Sequence, residues 1–133
     1  MPDLPRGTVA FLFTDIEGST ALWEQDWEVM AASVGRHLVL LRSAIESHNG
    51  VLFKVIGDAV QAAFPTASDA ADAAIAGQRA LSAEPWPDEL GPLRVRMALQ
   101  AGEAAPDDRG TTSPRHSIDW RVSWPLVTAA RFC

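Results

Sequence analysis

Two short carboxylate motifs, each placed where an apolar run ends at a glycine-containing turn, constrain this chain most. The first is F-T-D-I-E-G-S-T over residues 13–20, and the second is K-V-I-G-D over residues 54–58. Residues 9–13 (Val-Ala-Phe-Leu-Phe) are apolar without polar alternation, as in a strand covered on both faces, and Asp15 follows at its end. Residues 51–56 and 59–64 are two further apolar runs flanking Gly57-Asp58, the pattern of a β-hairpin with a two-residue turn. Two carboxylates so placed can share a divalent cation. The Gly18-Ser19-Thr20 step after the first can cradle a phosphate.

Between the motifs, Trp23, Trp27, Met30, Val34, Leu38, Leu41 and Ile45 recur every three or four residues. This spacing predicts one helix over residues 21–47 with both tryptophans on its core-facing stripe. Asn49-Gly50 closes it in the manner of a left-handed cap. Residues 65–69 open a second, alanine-rich helix reaching about residue 83, and Pro85-Trp86-Pro87 then breaks the chain, with Trp86 expected over a core edge. Residues 93–100 mostly alternate apolar and polar, which predicts a strand with one wetter face. The order β-α-β-β-α-β is that of an α+β, ferredoxin-like split-βαβ fold.

Composition narrows the function. The 133 residues suit one domain, and 47% of them are apolar, enough for a packed core. With net charge -6 and no Lys/Arg run, the chain lacks the basic stripe of a nucleic-acid binder. No apolar run approaches the roughly 20 residues of a membrane span, and residues 1–7 carry no apolar leader, so a soluble, cytoplasmic protein is expected. Cys133 is the only cysteine, which rules out an internal disulfide. His37, His48 and His116 show no metal-ligand spacing and read as surface or core residues.

Magnesium prefers hard oxygen ligands and commonly takes one or two carboxylates plus substrate phosphates. Asp15 and Asp58 fit such a pair, with the amides of Gly18, Ser19 and Thr20 facing phosphate at a helix start. The alternatives are a helix cap for Asp15 and an Asx turn for Asp58. Lys54, the only lysine, is either a solvent-facing strand residue or part of the second motif. Glu17 reads as a first-turn dipole partner rather than a ligand.

F-T-D-I-E-G-S-T, F-K-V-I-G-D-A-V and R-V-R-M-A-L-Q-A-G-E together resemble the catalytic domain of class III nucleotidyl cyclases, from about Gly7 to Glu103. By position the resemblance implies that Asp15 and Asp58 hold two metals, Mg2+ or Mn2+, with the Ile16 carbonyl as a further metal ligand and the amides after it on phosphate. It implies that Lys54 selects adenine, so that ATP is the substrate and cyclic AMP and pyrophosphate the products. It further implies a head-to-tail dimer, homodimeric or with an intact cyclase, in which Asp15 and Asp58 serve one site while Lys54 serves the other.

The tail departs from that pattern. The family's later Asp, its Asn seven residues on and its Arg four after that do not occur at that spacing beyond Gly110. Back-translation from the third base of the Gly110 codon permits D-Y-L-A-P-A-L-N-R-L-A-R-L-L-A, which restores all three. A base lost near that codon is the expectation. A cyclase-like domain over residues 7–105 would then be C-terminally incomplete, with an aberrant segment over 106–133. Such a sheet would show an exposed edge, and the chain alone would be nearly inactive.

Overall fold

The computed structural model describes residues 7–106 and 120–132, with side chains over residues 8–102. The chain order is β1 (Gly7–Ile16), α1 (Ser19–Gln25), α2 (Trp27–Ser47), β2 (Val51–Ile56), β3 (Ala59–Phe64), α3 (Ala67–Ala83), β4 (Val95–Pro106) and β5 (Trp120–Phe132). The strands form one sheet in the order β2-β3-β1-β4-β5, every neighbouring pair antiparallel. β1 lies between β3 and β4, so each helical connection crosses one intervening strand, as the split-βαβ reading requires.

Period-two alternation along β1 sorts its side chains between two clusters. Ala10, Leu12 and Ile16 join Met30, Leu41 and Ile45 of α2, together with Phe64 and Met97, in the main core. On the opposite face Val9 and Phe11 cluster with Phe53 and Ala63, and Phe13 packs against them. The Phe11 ring stacks on Phe13 and meets Phe53 edge-on, with centroids 6.1 Å apart in each case.

The single helix expected over residues 21–47 is broken in two. Asp26 adopts an extended backbone (φ -160, ψ 95), and its carboxylate accepts the Val29 N–H at 3.1 Å, capping α2. The break turns the tryptophans off the core. Trp23 is 36% exposed and Trp27 65% exposed, and Leu22 packs on the main core instead. The Asp26 carboxylate offsets part of the cost of the interruption by satisfying one of the amides that the start of α2 leaves open.

At the far end of α2 the left-handed residue is Asn49 (φ 65), not the glycine after it. Gly50 answers a different need. A Cβ there would lie 2.3 Å from the Phe64 ring, so only glycine lets the chain pass the core phenylalanine into β2. α3 starts at Thr66, whose hydroxyl accepts the Asp69 N–H at 3.0 Å. Its far end is tied to α2 by the bidentate Arg36–Glu84 pair at 3.1 Å, and Trp86 Nε1–H donates to the Leu81 carbonyl at 2.8 Å, which holds that indole over the core edge as expected.

The sequence assigns no element to residues 120–132, yet β5 pairs with β4 from Met97–Phe132 to Pro106–Trp120, so β4 is an inner strand of the sheet. Trp120, Val122, Trp124 and Leu126 alternate at period two, a strand signal hidden by the unfamiliar composition of the tail. Residues 107–119, with Gly110, His116 and the expected change of frame, lie outside the described residues. Among the described residues no helix is long and apolar enough to cross a membrane.

Candidate active site

Asp15 is the penultimate residue of β1, on the face shared with Phe11 and Phe13. It stands opposite Arg96 in the β1–β4 register. Arg96 Nε–H donates to Oδ1 and Nη2–H to Oδ2, each at 2.8 Å, a fork-on-carboxylate pair between half-exposed side chains. Sequence reading did not single out Arg96. The signal was its place on the wetter face of the alternating strand, at the position where antiparallel pairing meets Asp15.

Ile16 ends β1 with its side chain in the main core. Glu17 follows, and its N–H donates to the Arg94 carbonyl at 2.8 Å, which locks the turn to β4. Of the amides expected to face phosphate after Ile16, that of Glu17 is therefore taken, while Gly18, Ser19 and Thr20 lie at the opening of α1. Gly18 has φ 67, a left-handed conformation that favours glycine at this sharp entry. The first turn of α1 contains no acidic residue, so Glu17 precedes the helix and is not its dipole partner.

The second motif folds as the hairpin expected, with Ile56 paired to Ala59 across Gly57-Asp58. Gly57 (φ 60) fills the first central position, where a tight two-residue turn demands positive φ. The β1–β3 register runs to Thr14–Val60, so the turn lies at the same sheet end as Asp15, on a strand about 4.8 Å from β1. The Asp58 Oδ2 atom is buried without a hydrogen-bond partner among the described residues. An orphaned buried carboxylate oxygen is costly unless a cation or water completes it.

Lys54 is brought to a different place. The β2–β3 register slips between Leu52 and Lys54, a bulge that opposes two residues to one on β3. Leu52 packs on the main core and Phe53 on the opposite cluster, and Lys54 pairs with Gln61, which in turn pairs with Phe13. Lys54 thus sits two strands, about 10 Å, from β1 and is not gathered with the two carboxylates.

His37, expected only as a surface or core residue, is 1% exposed on α2. Its Nδ1 lies 2.6 Å from the Val34 carbonyl. Burial pushes the imidazole below its ordinary value, against the opposing pull of the Val34 and Asp58 groups.

Among the described residues no three His, Cys, Asp or Glu side chains converge for a metal. Two carboxylates at one sheet end nevertheless suit Mg2+ or Mn2+, ions that draw the rest of their oxygens from phosphate and water. A cleft of about 550 Å3 runs between the end of α3 and the start of β4, lined by Glu17, Glu84, Trp86, Arg94 and Arg96. Asp15, Asp58 and Lys54 are not among the residues that line it.

The fold has solved counterparts. Adenylate cyclases of Trypanosoma brucei in their monomeric state superpose with TM-score 0.75 at 23% identity, over 90% of this chain and 66% of theirs. A bacterial light-regulated adenylyl cyclase gives TM-score 0.71 at 20% identity over 87% of this chain and 62% of its own. In sequence, an adenylate cyclase of Lachancea kluyveri is 33% identical over 128 residues, covering 92% of this chain. This chain carries a class III cyclase catalytic domain. An uncharacterized protein of Mycobacterium tuberculosis is 39% identical over 101 residues, 74% of this chain. The chain spans 7% of the length of the yeast protein and 33% of the mycobacterial one. No protein-family model matches the chain.

Proposed function

We propose that this domain supplies the metal-carboxylate half of a site that converts ATP to cyclic AMP and pyrophosphate, completed by a second cyclase chain in a head-to-tail dimer. The observation that carries the reading is the placement of Asp15 and Asp58 at one end of adjacent antiparallel strands within a cyclase fold. Asp15, Asp58 and the Ile16 carbonyl would hold two Mg2+ or Mn2+ ions, and the Gly18, Ser19 and Thr20 amides would meet phosphate. Bound metal would polarise the phosphate oxygens and acidify the attacking hydroxyl. In the reaction the ribose 3′-oxygen bonds to the α-phosphorus and loses its proton, while the bond to the β-phosphate oxygen breaks and pyrophosphate leaves.

The partner chain would contribute base selection and the Asn and Arg that the residues after Gly110 lack at the family spacing. A homodimer of this sequence is therefore nearly silent, and a heterodimer with an intact cyclase holds one complete site. Lys54 would face the partner's carboxylates and select adenine there. The acidic balance, with no basic run, favours a nucleotide enzyme over a nucleic-acid binder. The missing Asn and Arg also favour a second reading, a non-catalytic Mg-nucleotide or dimerisation module that regulates a partner.

Calorimetric titration of the purified chain with a non-hydrolysable ATP analogue, with and without Mg2+, tests the metal site. Mg2+-dependent binding that disappears in Asp15→Asn and Asp58→Asn supports it. Binding indifferent to both substitutions refutes it.

A further inference from the structure

We propose that Gln61 is a further specificity-determining residue, whose amide oxygen accepts a hydrogen bond from the 6-amino group of the adenine that Lys54 addresses. This role rests on the reading of Lys54 as the base selector and adds a second contact to it. Strand register brings the two side chains together. Lys54 stands opposite Gln61, and Gln61 stands opposite Phe13 of β1. Residues paired across antiparallel strands share a face, with Cβ atoms about 4.5–5.5 Å apart. Val60, Ala62 and Phe64 all lie in the main core against the helices. Gln61, between Val60 and Ala62 on β3, therefore takes the other face with Phe13, and Lys54 goes with it.

The bulge delivers Lys54 to that face. Leu52 packs on the helix side and Phe53 on the opposite one, so regular alternation would return Lys54 beneath the helices. The extra residue keeps Phe53 and Lys54 on one side, in the way that bulges re-aim a side chain. Phe53 is buried there, edge-on to Phe11, while Lys54 and Gln61 are half-buried beside it. Among the described residues neither head group has a hydrogen bond or an ion pair. The two offer complementary chemistry. An ammonium only donates, whereas the amide also carries an acceptor oxygen. Adenine presents the acceptor N1 beside the donor 6-amino group on one edge. With the ammonium on N1, the neighbouring amide oxygen receives an amino hydrogen. Guanine carries N1–H at the first position, which meets the ammonium donor against donor.

Calorimetric titration of the purified chain with Mg2+ and either ATP or purine riboside triphosphate, which lacks only the 6-amino group, tests the contact. Wild type should bind ATP about fivefold more tightly, the difference that one hydrogen bond makes. Gln61→Met should weaken ATP by that factor and leave purine riboside triphosphate unchanged, so that the variant no longer tells the two apart. Gln61→Glu keeps an acceptor and should keep the preference. Gln61→Leu replaces the Met variant if that chain fails to melt cooperatively. Equal losses for both nucleotides, or no loss for ATP, would overturn the proposal, as would a wild type without the preference. Lys54→Met separates the two levels, because N1 is common to both nucleotides and both should weaken alike. If Lys54→Met weakens neither, the base-selecting reading of Lys54 fails. If it weakens both while Gln61→Met is inert, only the role of Gln61 fails. A chain that binds neither nucleotide overturns both.

Discussion

Replacing Arg96 with Gln should tighten, not weaken, the binding of a divalent cation in the absence of nucleotide. In the structure both Asp15 oxygens accept from the Arg96 guanidinium at 2.8 Å, so a cation that takes those oxygens displaces a formed ion pair. The size of that competition follows from exposure. The side chains are 54% and 43% exposed, and pairs this wet are worth about 0.2–1 kcal/mol. At 1.4 kcal/mol per tenfold, the upper limit is about a fivefold gain in affinity. Stability should fall by no more than about 1 kcal/mol for the same reason. Mn2+ titration followed by EPR reads the affinity, and denaturant unfolding reads the stability. The difference between wild type and Arg96→Gln should shrink as salt rises, because an exposed pair is screened. In an Asp15→Asn background the substitution should have no effect on Mn2+. Weaker Mn2+ binding by Arg96→Gln at unchanged stability would refute the reasoning and make Arg96 a support of the site.

Three further outcomes follow from the packing. Gly50→Ala forces a methyl to within 2.3 Å of the Phe64 ring and should cost about 1–3 kcal/mol in denaturant unfolding, with no loss attributable to backbone dihedrals. Asp26→Ala removes the cap of α2 and should cost about 1 kcal/mol, whereas Asp26→Asn should be nearly neutral. His37 is held below its ordinary pKa by burial, so the unfolded chain takes up a proton that the folded chain refuses. Its contribution is present above about pH 6.5 and is lost as pH falls toward the depressed folded value, with a slope of at most about 1.4 kcal/mol per pH unit. Urea midpoints at pH 7.5 and 5.5 should therefore diverge more for wild type than for His37→Asn.

Much of the fold was legible because local chemistry and tertiary demand agree there. The apolar runs over residues 51–56 and 59–64 pair across Gly57-Asp58 as the turn chemistry requires, and Thr66 opens α3. The failures have separate causes. Trp23 and Trp27 share a helical phase only if the helix is continuous, and the Asp26 cap resets that phase. The left-handed close expected at Asn49-Gly50 is there, at Asn49, but the need for Gly50 answers to a ring placed fourteen residues later. Strand β5 carries a local alternation over residues 120–126, but its place beside β4 rests on long-range pairing. At the site, the motif positions of Asp15 and Asp58 were readable, but their neighbours were not. Arg96 meets Asp15 through strand register, at long sequence separation.

The most direct measurement mixes this chain with an intact class III cyclase whose two metal-binding aspartates have been changed to Asn, and follows cyclic AMP from ATP by mass spectrometry. Neither chain should turn over alone, the mixture should produce cyclic AMP, and Asp58→Asn in this chain should abolish it. A silent mixture in which the heterodimer demonstrably forms, or production that survives Asp58→Asn, would contradict the assignment of Asp15 and Asp58 as the working half of a cyclase site.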